Sequence, residues 1–408
     1  MNPATAAVPA VLPPVSAGPP EPPFAAFAAL YFCYFASIGA FNPYAPLWFK
    51  ELGYSTLAIG AIASLQSWSR VLAPYAWSWF GDHGGQRTRL IRAAAAASLV
   101  CATGLLWARG HGAVAACTLM LFLANGGVVP LSEAALAQHL KTAQGMDTAR
   151  YGRVRMWGSV GFIVAVTAFG PLLQTLGLDW FPLFVVAMYA LLCVAAWRLP
   201  MARSERVDSA NAAPMISVLR RPEVAWFFAS IVFTVLAHTA LYAFFSLYLD
   251  ELGYDKSTVG LLWAASVLAE IAFFWAQGRF FGRISPHAWL QWAAAVSVLR
   301  FAMTAWGAAS MWVLLAAQAL HAITFAGQHA ACVVLISRHF PGPMRGRGQA
   351  LYAVLGYGVA GVVGGVAGGW LVTHAGFASV FWAAAAMAAV GWACAHRSSV
   401  WAARSSTS

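Results

Sequence analysis

Runs of about 20 mostly apolar residues follow one another along almost the whole chain. They lie at roughly 24–48, 56–80, 90–108, 112–136, 154–175, 179–198, 223–249, 257–281, 288–308, 311–337, 349–373 and 377–395. A helix of that length rises about 30 Å, the thickness of the hydrocarbon core, and in lipid a spanning segment must satisfy its own backbone hydrogen bonds. The expected fold is therefore an all-α membrane protein with twelve transmembrane helices. Composition agrees, with 61% hydrophobic and only 9% charged residues, against about 25% charged in a soluble domain.

One polar connector occurs twice. Pro46–Gly60 contains Glu51-Leu52-Gly53-Tyr54, and two hundred residues later Ser246–Gly260 contains Glu251-Leu252-Gly253-Tyr254. Each copy sits between the first and second runs of a set of six, so the chain reads as a duplicated bundle with two pseudo-symmetric halves. The expected divisions are a Pro-rich leader (1–23), an N-terminal six-helix bundle (24–198), a linker (199–222), a C-terminal six-helix bundle (223–395) and a tail (396–408). The leader has eight prolines and no Lys or Arg, so it can be neither helix nor signal peptide.

Positive residues stay on the cytoplasmic side. With both termini inside, Lys50, Arg109 and Lys256 fall outside, Arg70 and Arg300 fall within the membrane, and every other Lys and Arg is cytoplasmic. This asymmetry accounts for the formal charge of +11 without a nucleic-acid partner. The six cysteines lie in apolar runs without CxxC spacing, and no catalytic triad, phosphate loop or metal cluster can be assembled. No cofactor, metal or enzymatic activity is expected. Gly356-Tyr357-Gly358-Val359-Ala360-Gly361 matches GxGxxG literally, but no strand precedes it. With Gly364, Gly365, Gly368 and Gly369 following, the stretch reads as a close helix contact in lipid.

Ionisable residues inside apolar runs are costly and point to function. The candidates are Arg70, Glu133, Arg155, His238, Glu270, Arg300, His321 and His329. Arg155, Ser159 and Phe162 share a face of the fifth run, which offers a cation, a hydroxyl and a ring. Glu133 in the fourth run is close enough in sequence to reach Arg155, either as part of a substrate site or as a tether between helices. His238, Tyr242 and Ser246 make one polar stripe, and His321, Thr324 and Gln328 another. Glu270 and Arg300 each lie about halfway along a run. They form either a permanent ion pair or a carboxyl that gains and loses a cation and so binds and releases a proton.

Three strings carry a family resemblance: Gly81-Asp82-His83-Gly84-Gly85-Gln86-Arg87, Pro130-Leu131-Ser132-Glu133-Ala134 and Tyr151-Gly152-Arg153-Val154-Arg155-Met156-Trp157-Gly158-Ser159-Val160-Gly161. Together with the six-plus-six pattern they resemble the major facilitator superfamily. Within it, the chain is similar over residues 24–395 to the proton symporter branch that holds lactose permease and the 3-phenylpropionate transporters. The resemblance implies a secondary transporter with Glu133, Arg155, Ser159, Phe162, Tyr242 and Gln328 at the substrate. It implies proton coupling through Glu270, Arg300 and His321, with Arg70 and His238 as further buried charges. Thr324 stands where the sugar permease has a second acid, and Phe162 where it stacks a Trp on sugar, which points away from a galactoside. The implied activity is proton symport of a small organic solute, an aromatic carboxylate such as 3-phenylpropionate, by a monomer in the bacterial inner membrane. Sugar or nucleoside symport, or drug export on the same fold, are the alternatives.

Overall fold

The computed structural model describes residues 24–84, 86–142, 145–201, 215–341 and 344–405. The leader (1–23) and the middle of the linker lie outside these, as do the side chains of Gly81-Asp82-His83-Gly84-Gly85. The helices are α1 Phe24–Phe41, α2 Ala45–Glu51, α3 Thr56–Gly84, α4 Arg87–Trp107, α5 His111–Asn125, α6 Val128–His139, α7 Thr148–Leu176 and α8 Phe181–Trp197. There follow α9 Met215–Leu219, α10 Pro222–Glu251, α11 Lys256–Ala276, α12 Pro286–Gly307, α13 Met311–Ala319, α14 Gln328–His339, α15 Arg345–Tyr352, α16 Ala360–Ala375 and α17 Phe377–Ser405. Lys141–Thr142 and Gly145–Met146 form a two-residue antiparallel pair.

Among the described residues, ten helical stretches are long and apolar enough to cross a bilayer. The expected second and ninth runs also form helices, α3 with 29 residues and α12 with 22. These two carry Arg70 and Arg300, the charges that lower their hydropathy. Large apolar side chains cover the outside, with Trp306 84% and Leu72 56% exposed, as lipid-facing positions require. The final run, expected to end at 395, continues as α17 to Ser405.

Four of the expected runs are interrupted. Asn42-Pro43-Tyr44 separates α1 from α2, where a proline removes a backbone donor. Gly126-Gly127 kinks the fourth run between α5 and α6, because Trp77 and Ala73 of α3 occupy the space a side chain would need. The tenth run passes from α13 through a π-helical segment, Ala322–Gly327, into α14. A second π segment, Ala353–Val359, joins α15 to α16. Such segments rotate side chains out of α register and recur at functional sites.

The duplicated connectors have the same backbone hydrogen bonds. Gly53 N–H donates to Lys50 O and Tyr54 N–H to Phe49 O; Gly253 N–H donates to Asp250 O and Tyr254 N–H to Leu249 O. The two glycines take φ of +83° and +84°, a left-handed cap that only glycine adopts without strain. Tyr54 then donates to His111 O and Tyr254 to Ala308 O, tying each connector to a neighbouring loop.

Residues 24–201 and 215–405 meet tightly at the end where these connectors lie. Lys50 Nζ reaches Asp250 Oδ2 at 2.7 Å, Thr56 and Thr373 hydroxyls lie 3.0 Å apart, and Ser64 donates to Val362 O at 2.9 Å. The backbone of Gly60 abuts Gly365, and that of Gly260 abuts Val166, where any Cβ would collide with a carbonyl. The glycine stretch thus packs helices against one another.

Candidate functional site

The interior charges fall into three settings. Arg155 of α7 and Glu133 of α6 meet as the sequence predicts, with Nε 3.7 Å from Oε1. Tyr151 donates to the same carboxylate oxygen at 3.2 Å. The guanidinium lies over the rings of Phe35 and Tyr31, at 4.3 and 5.4 Å from their centres. About a third of each side chain is exposed. Ser159, one turn along α7, is half-buried and makes no side-chain hydrogen bond to a described residue. Phe162 packs edge-on against Trp263 of α11, 6.5 Å between centres.

Arg300 does not pair with Glu270. It is 1% exposed and satisfied by neutral oxygens: Nε donates to Ala317 O at 2.8 Å, Nη2 to Gln318 Oε1 at 2.8 Å and Nη1 to Thr324 Oγ1 at 3.2 Å. The physical reason is the break in the tenth run. Near the end of α13 the Ala317 carbonyl accepts from Arg300, a cation at the negative end of that helix. His238 of α10 joins this group. Its Nδ1–H donates to Thr234 O at 2.8 Å, which leaves Nε2 as the acceptor, 3.4 Å from the Thr324 hydroxyl. Thr324 has one proton and two acceptors at 3.4 Å, His238 Nε2 and His321 O, so this hydroxyl connects Arg300, His238 and the His321 backbone.

Glu270 of α11 faces His321 instead, Oε2 lying 3.9 Å from Nε2. The other ring nitrogen of His321, Nδ1, is buried without a partner. His321 stacks on Phe325, and Phe325 on His329. His329 Nδ1 lies 3.2 Å from the Tyr352 hydroxyl, which lies 3.3 Å from that of Tyr357. The sequence gives His329 no partner; the end of α15 supplies one in Tyr352.

Two adjoining cavities sit between these groups. One, with about 240 Å³ of empty space, is bordered by His238, Tyr242, Phe325, Gln328 and His329. The other, about 430 Å³ including its open side, is bordered by Gln66, Ser67, Arg70, Thr239, Tyr242 and Tyr357. Polar groups converge on aromatic walls in both, the lining that small-molecule sites show. Tyr242 borders both cavities and stacks on Trp263, whose Nε1–H donates to Ser246 at 3.2 Å. The structure therefore brings Glu270 to His321, Glu133 to Arg155, and Tyr242 and Gln328 to the cavity, while Arg300 is sealed away from it. Sequence reasoning missed Trp263 because it is one of 19 tryptophans, and Tyr357 because it lies inside the glycine stretch.

Comparisons with known proteins agree with this geometry. The family model described as the MFS_1 like family matches residues 24–383. The "Probable 3-phenylpropionic acid transporter" of Escherichia coli (strain K12) is 28% identical over 360 residues, covering 87% of this chain and 92% of the relative. The maltose permease of Geobacillus stearothermophilus is 27% identical over 277 residues, 65% of this chain and 67% of the relative. A variant of the nucleoside transporter NupG superposes with a TM-score of 0.81 at 16% identity, covering 92% of this chain and 99% of that one, which shows a shared fold. The chain belongs to the MFS_1-like family of the major facilitator superfamily, and is a multi-pass membrane transporter of that fold.

Proposed function

We propose that this protein is a proton symporter for an aromatic carboxylate of the 3-phenylpropionate kind, working by alternating access in a bacterial inner membrane. In this reading α3 and α12 also cross the bilayer, giving twelve spans in two six-helix bundles, 24–198 and 223–395, linked through 199–222. The Lys and Arg gathered in the connectors of one side, with Arg397 and Arg404, favour cytoplasmic termini, and the Lys50–Asp250 end is then the outer one. The contacts that close the Lys50–Asp250 end support one of the two states that alternating access requires.

The observation that carries the reading is the placement of Glu270. Among the described residues its one ion-pairing contact is His321, at 3.9 Å, while Arg300, the other mid-helix candidate, is satisfied elsewhere. A carboxylate and imidazole in a poorly solvated site hold a single shared proton at low cost and lose it when the cavity fills with water. Adding that proton neutralises the pair, so a substrate anion and a proton can be carried across as a load of no net charge. Phe162, Trp263 and Tyr242 give a ring its apolar walls, and Arg155 with Glu133, Ser159 and Gln328 supply polar contacts. The 28% identity to a protein named as a probable 3-phenylpropionic acid transporter supports the substrate class.

The test is uptake of radiolabelled 3-phenylpropionate into proteoliposomes with and without an inward proton gradient, with a galactoside and a nucleoside in parallel. Gradient-driven accumulation that Glu270→Gln abolishes, while exchange of labelled for unlabelled substrate persists, is the expected result. Accumulation of the galactoside or nucleoside alone would overturn the substrate assignment, and undiminished accumulation by Glu270→Gln would move the proton site elsewhere.

A further inference from the structure

Three arginines lie in the interior, and two of them are accounted for. Arg155 is neutralised by Glu133 and covered by Phe35 and Tyr31. Arg300 is enclosed and spends its donors on Ala317, Gln318 and Thr324. Arg70 has neither arrangement: it is exposed on the wall of the larger cavity, and no described carboxylate lies within ion-pairing distance. Its neighbours on that wall are the uncharged Gln66, Ser67 and Thr239, with the rings of Tyr242 and Tyr357. A cation at membrane depth persists unpaired only where a water-filled cavity or a ligand compensates it.

From this difference we infer that Arg70 is the group that grips the carboxylate of the transported anion, with the ring of the substrate held against Tyr242 and Tyr357. The inference rests on the aryl-carboxylate reading and goes beyond it by assigning the anchor, which the family resemblance does not. A guanidinium offers a flat, two-pronged donor set matched to a carboxylate, and a bound anion replaces water there with charge-assisted hydrogen bonds.

The experiment measures binding of 3-phenylpropionate and of its uncharged amide, 3-phenylpropionamide, to the purified full chain at a pH where the acid is ionised. Wild type, Arg70→Gln, Arg70→Lys and Arg155→Gln are compared, each checked for a single monodisperse species. The wild type is expected to prefer the carboxylate; Arg70→Gln weakens the carboxylate about tenfold to hundredfold and the amide by less than about twofold, the span of one charge-assisted contact. Arg70→Lys keeps the charge and recovers part of the preference, a result that a merely structural role would not give. Arg70→Gln with its carboxylate preference intact overturns the inference and leaves the substrate class standing. A wild type that binds the amide as well as the acid, or neither, refutes the substrate class and this assignment with it, and the failure is then seen in the unmutated protein.

Discussion

Lys50 and Asp250 are counterparts in the duplication, and in this structure they bond to each other across the outer end at 2.7 Å. Two positions related by the internal repeat can face each other only near the pseudo-symmetry axis, so opposite charges there act as a clasp on the closed outer face. Their Coulomb attraction at that distance is about 1.5 kcal/mol in a water-like dielectric. The side chains remain 49% and 34% exposed, so solvent screening and side-chain entropy reduce the net contribution to about 0.2–1 kcal/mol. That amounts to a shift of about 1.4- to fivefold between outward-closed and outward-open populations. Lys50→Asp would place two carboxylates together and open the outer face; Asp250→Lys would do the same with two ammonium groups. The reversed pair, Lys50→Asp with Asp250→Lys, restores the attraction. Populations can be read from distances between spin labels on the two outer connectors, at low and high salt. A coupling energy near zero in this double-mutant cycle, or single variants whose distances match wild type at low salt, would refute the clasp.

Three other outcomes are expected. Gly365→Val should prevent outer closure, since a Cβ there meets Gly60 O and Ser64; the same spin-label distances would stay long and transport would stop. Arg300→Met should lower the thermal midpoint of the purified protein strongly, because Ala317 O, Gln318 and Thr324 lose their donor and a buried acceptor left unsatisfied costs about 1–3 kcal/mol. Asp255, in the connector before α11, accepts from Thr258 N–H at 2.6 Å, and that bond holds its carboxyl below the usual range. A carboxyl depressed in the folded state stabilises above its unfolded pKa and loses that contribution as pH falls through the folded one. Thermal stability should therefore drop below about pH 4, and Asp255→Asn, which retains an oxygen acceptor, should remove that part of the dependence.

Much of the architecture was legible because lipid imposes strong rules on sequence. Each expected run between 24 and 395 is helical in the structure, since a chain in hydrocarbon has few other ways to satisfy its backbone. The repeated Glu-Leu-Gly-Tyr strings were read as equivalent connectors, and both take the same cap geometry, because a left-handed residue after a helix favours glycine. The glycine stretch was read as packing, and Gly365 against Gly60 bears that out. The continuation of α17 to Ser405 was not visible, because past 395 the sequence turns polar while the helix does not end.

The candidate site was legible only in part. Helical periodicity grouped Arg155 with Ser159 and brought Glu133 to Arg155, since those residues are close along the chain or on one helix face. Partners from distant helices were another matter. Glu270 and Arg300 are both mid-helix ionisable residues, and sequence offers no reason to separate them; the break between α13 and α14 does so by presenting the Ala317 carbonyl to Arg300 and turning His321 toward Glu270.

The sequence by itself determined that this chain is a helical membrane protein with an internal repeat and charges buried at fixed depths, because hydropathy and helix rise depend only on local residue order. Which of those charges meet, and which one is left facing the cavity, was decided by tertiary structure, because it depends on how two π segments rotate their helices and how closely the glycines let the two parts approach.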